Sequence, residues 1–250
     1  MQTTTVDVPT GDGMADSFLV RPDGDGPFPA VLVFMDAFGL RPRLAEMAGT
    51  IAARGYVVLV PNLFHRFGRA PLFDLSGLGD ETLRGALFEK VSPMIGALTP
   101  DVVARDTAAY LDFLAAQPGI APGPVAAVGY CMGGTNALRA IEAHPDRIAA
   151  AAAFHAGRVV TDAPDSPHLG LGAVTGELYF GHADHDPSMT AEQIATLEKA
   201  LDAAGVTYRS EVYAGARHGY TQADTPMYDE RATERHWAAL FDLLDRTFRR

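Results

Sequence analysis

Short, uninterrupted apolar runs recur along this chain, and they limit its fold more than any other feature. Ala30–Met35, Tyr56–Val60, Val125–Val128 and Ile148–Phe154 contain no charged residue. A strand that is apolar on both faces has to be covered on both, as happens in a parallel sheet flanked by helices. The stretches between the runs supply the helices. Leu44, Met47, Ala48, Ile51 and Ala52 form one stripe at helical spacing, followed by Gly55 as a C-cap. Val102, Val103, Tyr110, Phe113 and Leu114 form another, opened by Thr99-Pro100-Asp101. Further stripes lie at Ala137, Leu138 and Ile141, at Ile194, Leu197 and Leu201, and at Trp237, Leu240, Phe241, Leu244 and Phe248. Thr190 to Gln193 has the pattern of a capping box, and Gly205 closes its helix. Strands are also expected at Gly176–Gly181 and Val206–Tyr213. Thr3–Val8 and Ser17–Arg21, joined by Gly-Asp-Gly at 11–13, read as an antiparallel start. Residues 66–98 have weaker periodicity and read as a loop-and-helix excursion covering the site. With 250 residues, 48% of them hydrophobic, the chain is long enough to bury a substantial core. The expectation is a single α/β domain over residues 1–250, with a mostly parallel central sheet and helices on both faces.

The chemistry concentrates at Gly129-Tyr130-Cys131-Met132-Gly133-Gly134, between a predicted strand and a predicted helix. Glycines at 129 and 133 permit a crowded bend there. The arrangement resembles the nucleophile elbow of α/β-hydrolases, with Cys in place of Ser. Such a turn raises the middle side chain above the sheet. It also sets that side chain at a helix N-terminus, where unpaired N–H groups favour a thiolate.

Ligands in open parallel sheets sit beyond the carboxyl ends of the strands. The polar residues just past predicted strand ends are Asp36, His65, Cys131, His155, Asp184 and His218. Cys131, Asp184 and His218 follow the order nucleophile, acid, histidine. They are the expected catalytic residues: thiolate, imidazole-orienting carboxylate and general base. The N–H groups of Met132 and Ala37 are the expected oxyanion hole. Phe38, Tyr130, His65, His155 and Tyr220 are candidate substrate-binding residues. His182, Asp184, His185 and Asp186 crowd together in a way that also suits a metal, but no second cluster of matching strength occurs elsewhere. The reading adopted has no metal and no cofactor. A metal-dependent hydrolase, a thiol redox sensor at Cys131 and a non-catalytic binding domain remain as alternatives on the same residues.

Composition narrows the partners. The net charge of −11 disfavours nucleic acid and anionic membranes. The single cysteine excludes an internal disulfide and suits a reducing cytosol. The start of the chain lacks a basic segment followed by an apolar one, so no secretion signal is expected. The expected partner is a small ester or lactone, and the protein a cytoplasmic monomer or small homo-oligomer.

From about residue 15 to 245 the chain resembles the dienelactone hydrolase family. The resemblance rests on five motifs in order: Met35-Asp36-Ala37-Phe38-Gly39-Leu40, Arg54-Gly55-Tyr56-Val57-Val58 with Pro61-Asn62-Leu63, Gly129 to Gly134, Gly181 to Asp186, and Ala216-Arg217-His218-Gly219-Tyr220. It implies one α/β-hydrolase domain and a Cys-His-Asp triad without cofactor: Cys131, His218 and Asp184, with Ala37 and Met132 as oxyanion donors. Two positions depart from the family pattern. Asp36 stands where the type enzyme has a glutamate that helps deprotonate the cysteine when substrate binds. Gln222 stands where it has an arginine that holds the substrate carboxylate; Arg41, Arg43, Arg84 and Lys90 are candidate substitutes. Thiols attack unactivated esters reluctantly, so activated esters, enol-lactones or thioesters are the expected substrates.

Overall fold

A computed structural model describes residues 1–78 and 80–248. Its chain divides into two compact units, Met1–Val125 and Ala126–Arg250.

The first unit opens with a hairpin, β1 (Gln2–Thr10) and β2 (Gly13–Arg21), paired antiparallel from Gln2↔Arg21 to Thr10↔Gly13. The Gly-Asp-Gly turn falls where expected. β2 pairs antiparallel with β4 (Val57–Pro61), and β4 pairs parallel with β3 (Ala30–Phe34). The spatial order is β1-β2-β4-β3. Every residue of β3 and β4 is buried, as their unbroken apolar runs require. The described residues of the unit also form α1 (Pro42–Ala52), α2 (Glu81–Gly96) and α3 (Pro100–Ala115). Thr99 caps α3 by accepting from the Val102 N–H, with Pro100 at its first position. The 66–98 excursion is thus loop followed by α2; its residue 79 lies outside the described residues. Arg66 joins the hairpin turn to α3, donating to Asp12 at 2.8 Å and to Asp106 at 2.7 Å.

The second unit continues with β5 (Val125–Tyr130), α4 (Met132–Ala143), β6 (Ile148–Phe154), β7 (Glu177–His185), α5 (Ala191–Ala204), β8 (Tyr208–Arg217) and α6 (Glu230–Phe248). Its strands lie in the order β5-β6-β7-β8, and β6–β7 and β7–β8 are parallel. The capping box of α5 forms on both sides: the Thr190 hydroxyl accepts from the Gln193 N–H, and the Gln193 side chain accepts from the Thr190 N–H. Gly205 closes α5 at a left-handed φ of 68°. Tyr130, Phe154 and His236 form the aromatic centre of this unit, with Phe154 edge-on to His236 at 4.3 Å between ring centroids.

β7 and β8 run further at their carboxyl ends than the sequence suggests. β7 continues through His185 and β8 through Arg217. Their pairing proceeds from Ala183↔Tyr213, past an irregularity, to His185↔Arg217. Polar residues are tolerated there because β8 ends the strand order and much of it faces solvent. No described helix is long and apolar enough to cross a membrane.

Candidate active site

Cys131 sits between β5 and α4 at φ 57° and ψ −122°. A residue with a side chain rarely adopts a positive φ, and the surroundings must hold it there. Two features do so. The Cys131 N–H donates to the Phe154 carbonyl of β6 at 3.1 Å, and the Cys131 carbonyl accepts from the Gly134 N–H at 3.0 Å. The turn is also too tight for side chains below it. A Cβ at Gly129 would lie 1.9 Å from the Gly133 oxygen, and one at Gly134 would lie 2.7 Å from the Ala156 Cβ. Cys131 is partly exposed. Met132, directly after it, is the first residue of α4. First-turn amides have no intrahelical acceptor.

His218 follows the last residue of β8. Its Nδ1 lies 2.6 Å from Asp186 Oδ2, and Cys131 is near enough to act on its charge. Burial opposes a charge on His218. The negative charge of Cys131 and the bond to Asp186 outweigh it and push the imidazole up to about 10. Burial likewise opposes the Asp186 charge, but the bonds from His218 and Ser188 hold the carboxyl below its ordinary range. Cys131 and Asp186 thus both favour the charged form of His218, and His218 favours the charged form of Asp186.

The geometry brings Asp186, not the expected Asp184, to His218. β7 extends through His185, so the first carboxylate beyond its end is Asp186. The Asp186 side chain is 1% exposed and meets His218; that of Asp184 is 42% exposed and accepts from the Gly215 N–H at 2.9 Å. The signal was in the sequence, since Asp186 precedes Pro187 and the capping box of α5, but His182-Ala-Asp-His reads as a turn by composition. Among the described residues, no group of three or more His, Cys, Asp or Glu is placed to hold a metal ion. His182 is buried, and burial takes its imidazole down to about 4.

The candidate substrate-binding residues separate. Tyr130 and Tyr220 are fully buried. The Tyr130 hydroxyl lies 3.0 Å from His236 Nε2, and the Tyr220 hydroxyl donates to the Gly181 carbonyl at 3.0 Å. His155 is also fully buried, at φ 39°, edge-on to His218 with 5.3 Å between centroids. Its Nε2 meets the Thr221 hydroxyl at 2.8 Å, whereas its Nδ1 is buried without a hydrogen-bond partner. Burial, and next the charge of His218, hold its imidazole well below the usual range, so it stands neutral beside His218. Gln222, at the position of the family arginine, is buried and donates to the Thr221 hydroxyl at 3.0 Å.

The remaining expected residues lie in the first unit. Asp36 follows β3 by two residues. Its Oδ1 accepts from the Phe38 N–H at 2.9 Å and from Arg41 Nη1 at 2.7 Å, and its Oδ2 accepts from Arg41 Nη2 at 2.9 Å. This fork-to-fork pair is buried on both sides. Ala37 is buried in the same turn, which the Gly39 N–H closes onto the Asp36 carbonyl at 3.2 Å. The Phe38 ring lies 6.0 Å from that of Phe88 and beneath the Arg41 guanidinium. His65 contacts Thr10 Oγ1 and the Asn62 carbonyl, both at 3.1 Å, as a loop-fastening residue would.

Known proteins resemble the whole chain. The model of the dienelactone hydrolase family matches residues 15–248. A Synechocystis protein provisionally named carboxymethylenebutenolidase is 25% identical over 240 residues, covering 95% of this chain and 94% of its own. A similarly named Escherichia coli protein is 28% identical over 244 residues, covering 93% and 82%. A Bradyrhizobium protein described as a probable 2-oxo-3-(5-oxofuran-2-ylidene)propanoate lactonase is 24% identical over 234 residues, covering 93% and 89%. Among solved structures, a Klebsiella pneumoniae protein provisionally named dienelactone hydrolase superposes with a TM-score of 0.83 at 21% identity, over 97% of each chain. At that identity the likeness shows the fold, which is that of the α/β-hydrolases.

Proposed function

We propose that this chain, which belongs to the dienelactone hydrolase family, cleaves small esters or lactones through a cysteine triad of Cys131, His218 and Asp186. The observation that carries the reading is the 2.6 Å contact of His218 Nδ1 with Asp186, on a histidine whose charge Cys131 also favours. The position of Cys131 at a strained turn before a helix supports it further.

In this reading the Cys131 thiolate attacks the substrate carbonyl carbon. The carbonyl electron pair moves onto oxygen, and the tetrahedral oxyanion accepts from the Met132 N–H. Ala37, in the turn after β3, is retained as the proposed second donor. Collapse breaks the carbon–oxygen bond to the leaving group. An enolate leaves unaided, while an alkoxide takes the proton of the His218 imidazolium. The product is a thioester on Cys131.

Acylation also resets the base. The charge of Cys131 is one of the influences that keep His218 protonated against burial. Once the sulfur is acylated that charge is gone, and His218 falls towards neutrality. A neutral imidazole then takes a proton from water, whose oxygen attacks the thioester. Thiolate leaves with its charge again stabilised by the imidazolium. Asp186 orients the ring throughout and carries no proton itself.

The names of the relatives support enol-lactones as the substrate class. Asp36 has the role proposed from the resemblance, thiol activation, only if its pair with Arg41 opens. Hydrolysis of p-nitrophenyl acetate and an enol-lactone panel, with and without iodoacetamide, tests the reading. Turnover abolished by alkylation and by Cys131→Ala is expected. Turnover that survives both overturns it.

A further inference from the structure

We infer that Ser188 is a positioning residue for the acid of this triad, fixing the Asp186 carboxylate so that its second oxygen faces His218. The inference rests on the proposed triad and adds a residue to it.

The Asp186 carboxylate divides its oxygens between two tasks. Oδ2 meets His218 Nδ1 at 2.6 Å. Oδ1 accepts twice from Ser188, from the backbone N–H at 2.9 Å and from the hydroxyl at 2.6 Å. Short O–H···O⁻ bonds of this kind are charge-assisted and directional. The Asp186 side chain is almost wholly buried, so little water is at hand to replace a lost donor. Two donors from one residue leave the carboxylate a single orientation. The Ser188 hydroxyl also lies 3.5 Å from His218 Nδ1, too far to compete with Asp186.

The surroundings are shaped for that hydroxyl. Gly157 lies beside it, and a Cβ at Gly157 would come within 2.4 Å of Ser188 Oγ. The Ser188 carbonyl accepts from the Arg158 N–H at 2.9 Å, and Thr135 donates to the Gly157 carbonyl at 2.7 Å. Two non-glycine residues of this segment, His155 at φ 39° and Arg158 at φ 61°, hold positive backbone angles. Strained backbone persists where the surroundings over-determine it. The segment after β6 is thus bent to leave room for Ser188 and to bind its backbone.

Loss of the hydroxyl leaves a buried carboxylate oxygen with the Ser188 N–H alone. Asp186 then holds its charge less firmly and its plane less rigidly. Both changes weaken its hold on the imidazolium. The groups that face His218 are Cys131, Asp186, Ser188 and neutral His155; of these, only the Asp186–Ser188 bond is altered.

The test compares Ser188→Ala with the wild type in steady-state hydrolysis of p-nitrophenyl acetate and in titration of His218 by NMR. A loss of about 10-fold in kcat/KM, carried mainly by kcat, is expected for one charge-assisted hydrogen bond. The His218 titration moves to lower pH, which loss of a merely structural contact would not produce. Gly157→Ala, which drives a methyl group against the hydroxyl, has the same two effects and carries the test if Ser188→Ala does not fold. Activity within two-fold of wild type with an unmoved titration overturns the inference. His218→Ala and Cys131→Ala are measured in parallel. If they are inactive while Ser188→Ala is silent, the role of Ser188 alone fails; if they retain turnover, the triad reading fails and takes this inference with it.

Discussion

Replacing each of two aspartates two residues apart separates a triad completed by Asp186 from the one that strand prediction places at Asp184. Asp186→Asn keeps the shape of the side chain and removes its charge. The 2.6 Å bond to His218 Nδ1 loses its ionic character, and the amide can present an N–H to a ring nitrogen that needs an acceptor. A hydrogen bond to a charged group is worth about 1.5–3 kcal/mol, which corresponds to roughly 10- to 150-fold in rate. The contact is short and its carboxylate buried, so the upper part of that range is expected. His218 also ceases to be held up to about 10 and titrates lower. Asp184→Asn leaves an exposed side chain that still accepts from the Gly215 N–H. Its effect is within about two-fold, the usual scale for surface substitutions. The assay is kcat/KM for p-nitrophenyl acetate at neutral pH, with His218 followed by NMR. A larger loss from Asp184→Asn than from Asp186→Asn would refute the assignment and the reasoning from strand length behind it.

Four further outcomes follow from the same contacts. Removing the thiol by Cys131→Ala lowers the His218 titration from about 10, because a raising charge is deleted while burial remains; a titration that stays in place means the two groups are not coupled. Stability falls at both pH extremes. The contribution of the raised His218 is full below its unfolded value of about 6.5 and lost as pH rises through about 10, and that of the depressed Asp186 is present above about 4 and lost on acidification; urea midpoints across pH check both limbs. Asp36→Ala removes the fork-to-fork bonds from the buried Arg41 guanidinium and costs up to about 3–5 kcal/mol in denaturant unfolding, while iodoacetamide labelling of the resting enzyme is slowed only if Asp36 acts on the thiol. Gly129→Ala places a methyl group 1.9 Å from the Gly133 oxygen and lowers stability by more than about 3 kcal/mol, seen as loss of soluble folded protein or a large drop in Tm.

The central strands were legible because full burial demands unbroken apolar sequence, as at Ala30–Phe34 and Val57–Val60. Caps were equally plain, since Thr99 and Thr190 each satisfy orphan amides with their own side chains. Strand ends were not. The His182–His185 stretch has weak strand propensity, yet its backbone pairs with β8 as far as Arg217. Tertiary pairing overrode local preference, and the carboxylate that meets His218 lies two residues further along, at Asp186. Burial of aromatic residues near the elbow was likewise hidden. Tyr130 and Tyr220 carry polar tips that suit a pocket, but both hydroxyls meet partners inside the protein. The pair of Asp36 with Arg41 could not be read either, because nothing in the spacing tells which of several arginines turns inward. Ser188 lay unnoticed for a similar reason: its role depends on the hydroxyl facing back onto Asp186.

A cysteine mechanism stands or falls on a covalent acyl-thioester at Cys131. Rapid-quench mass spectrometry of the enzyme with a slowly released activated ester looks for that species itself. One acyl group per chain is expected, on the peptide containing Cys131, formed and lost at rates consistent with turnover. Turnover without an adduct on that peptide, or with the acyl group on another residue, would contradict the mechanism.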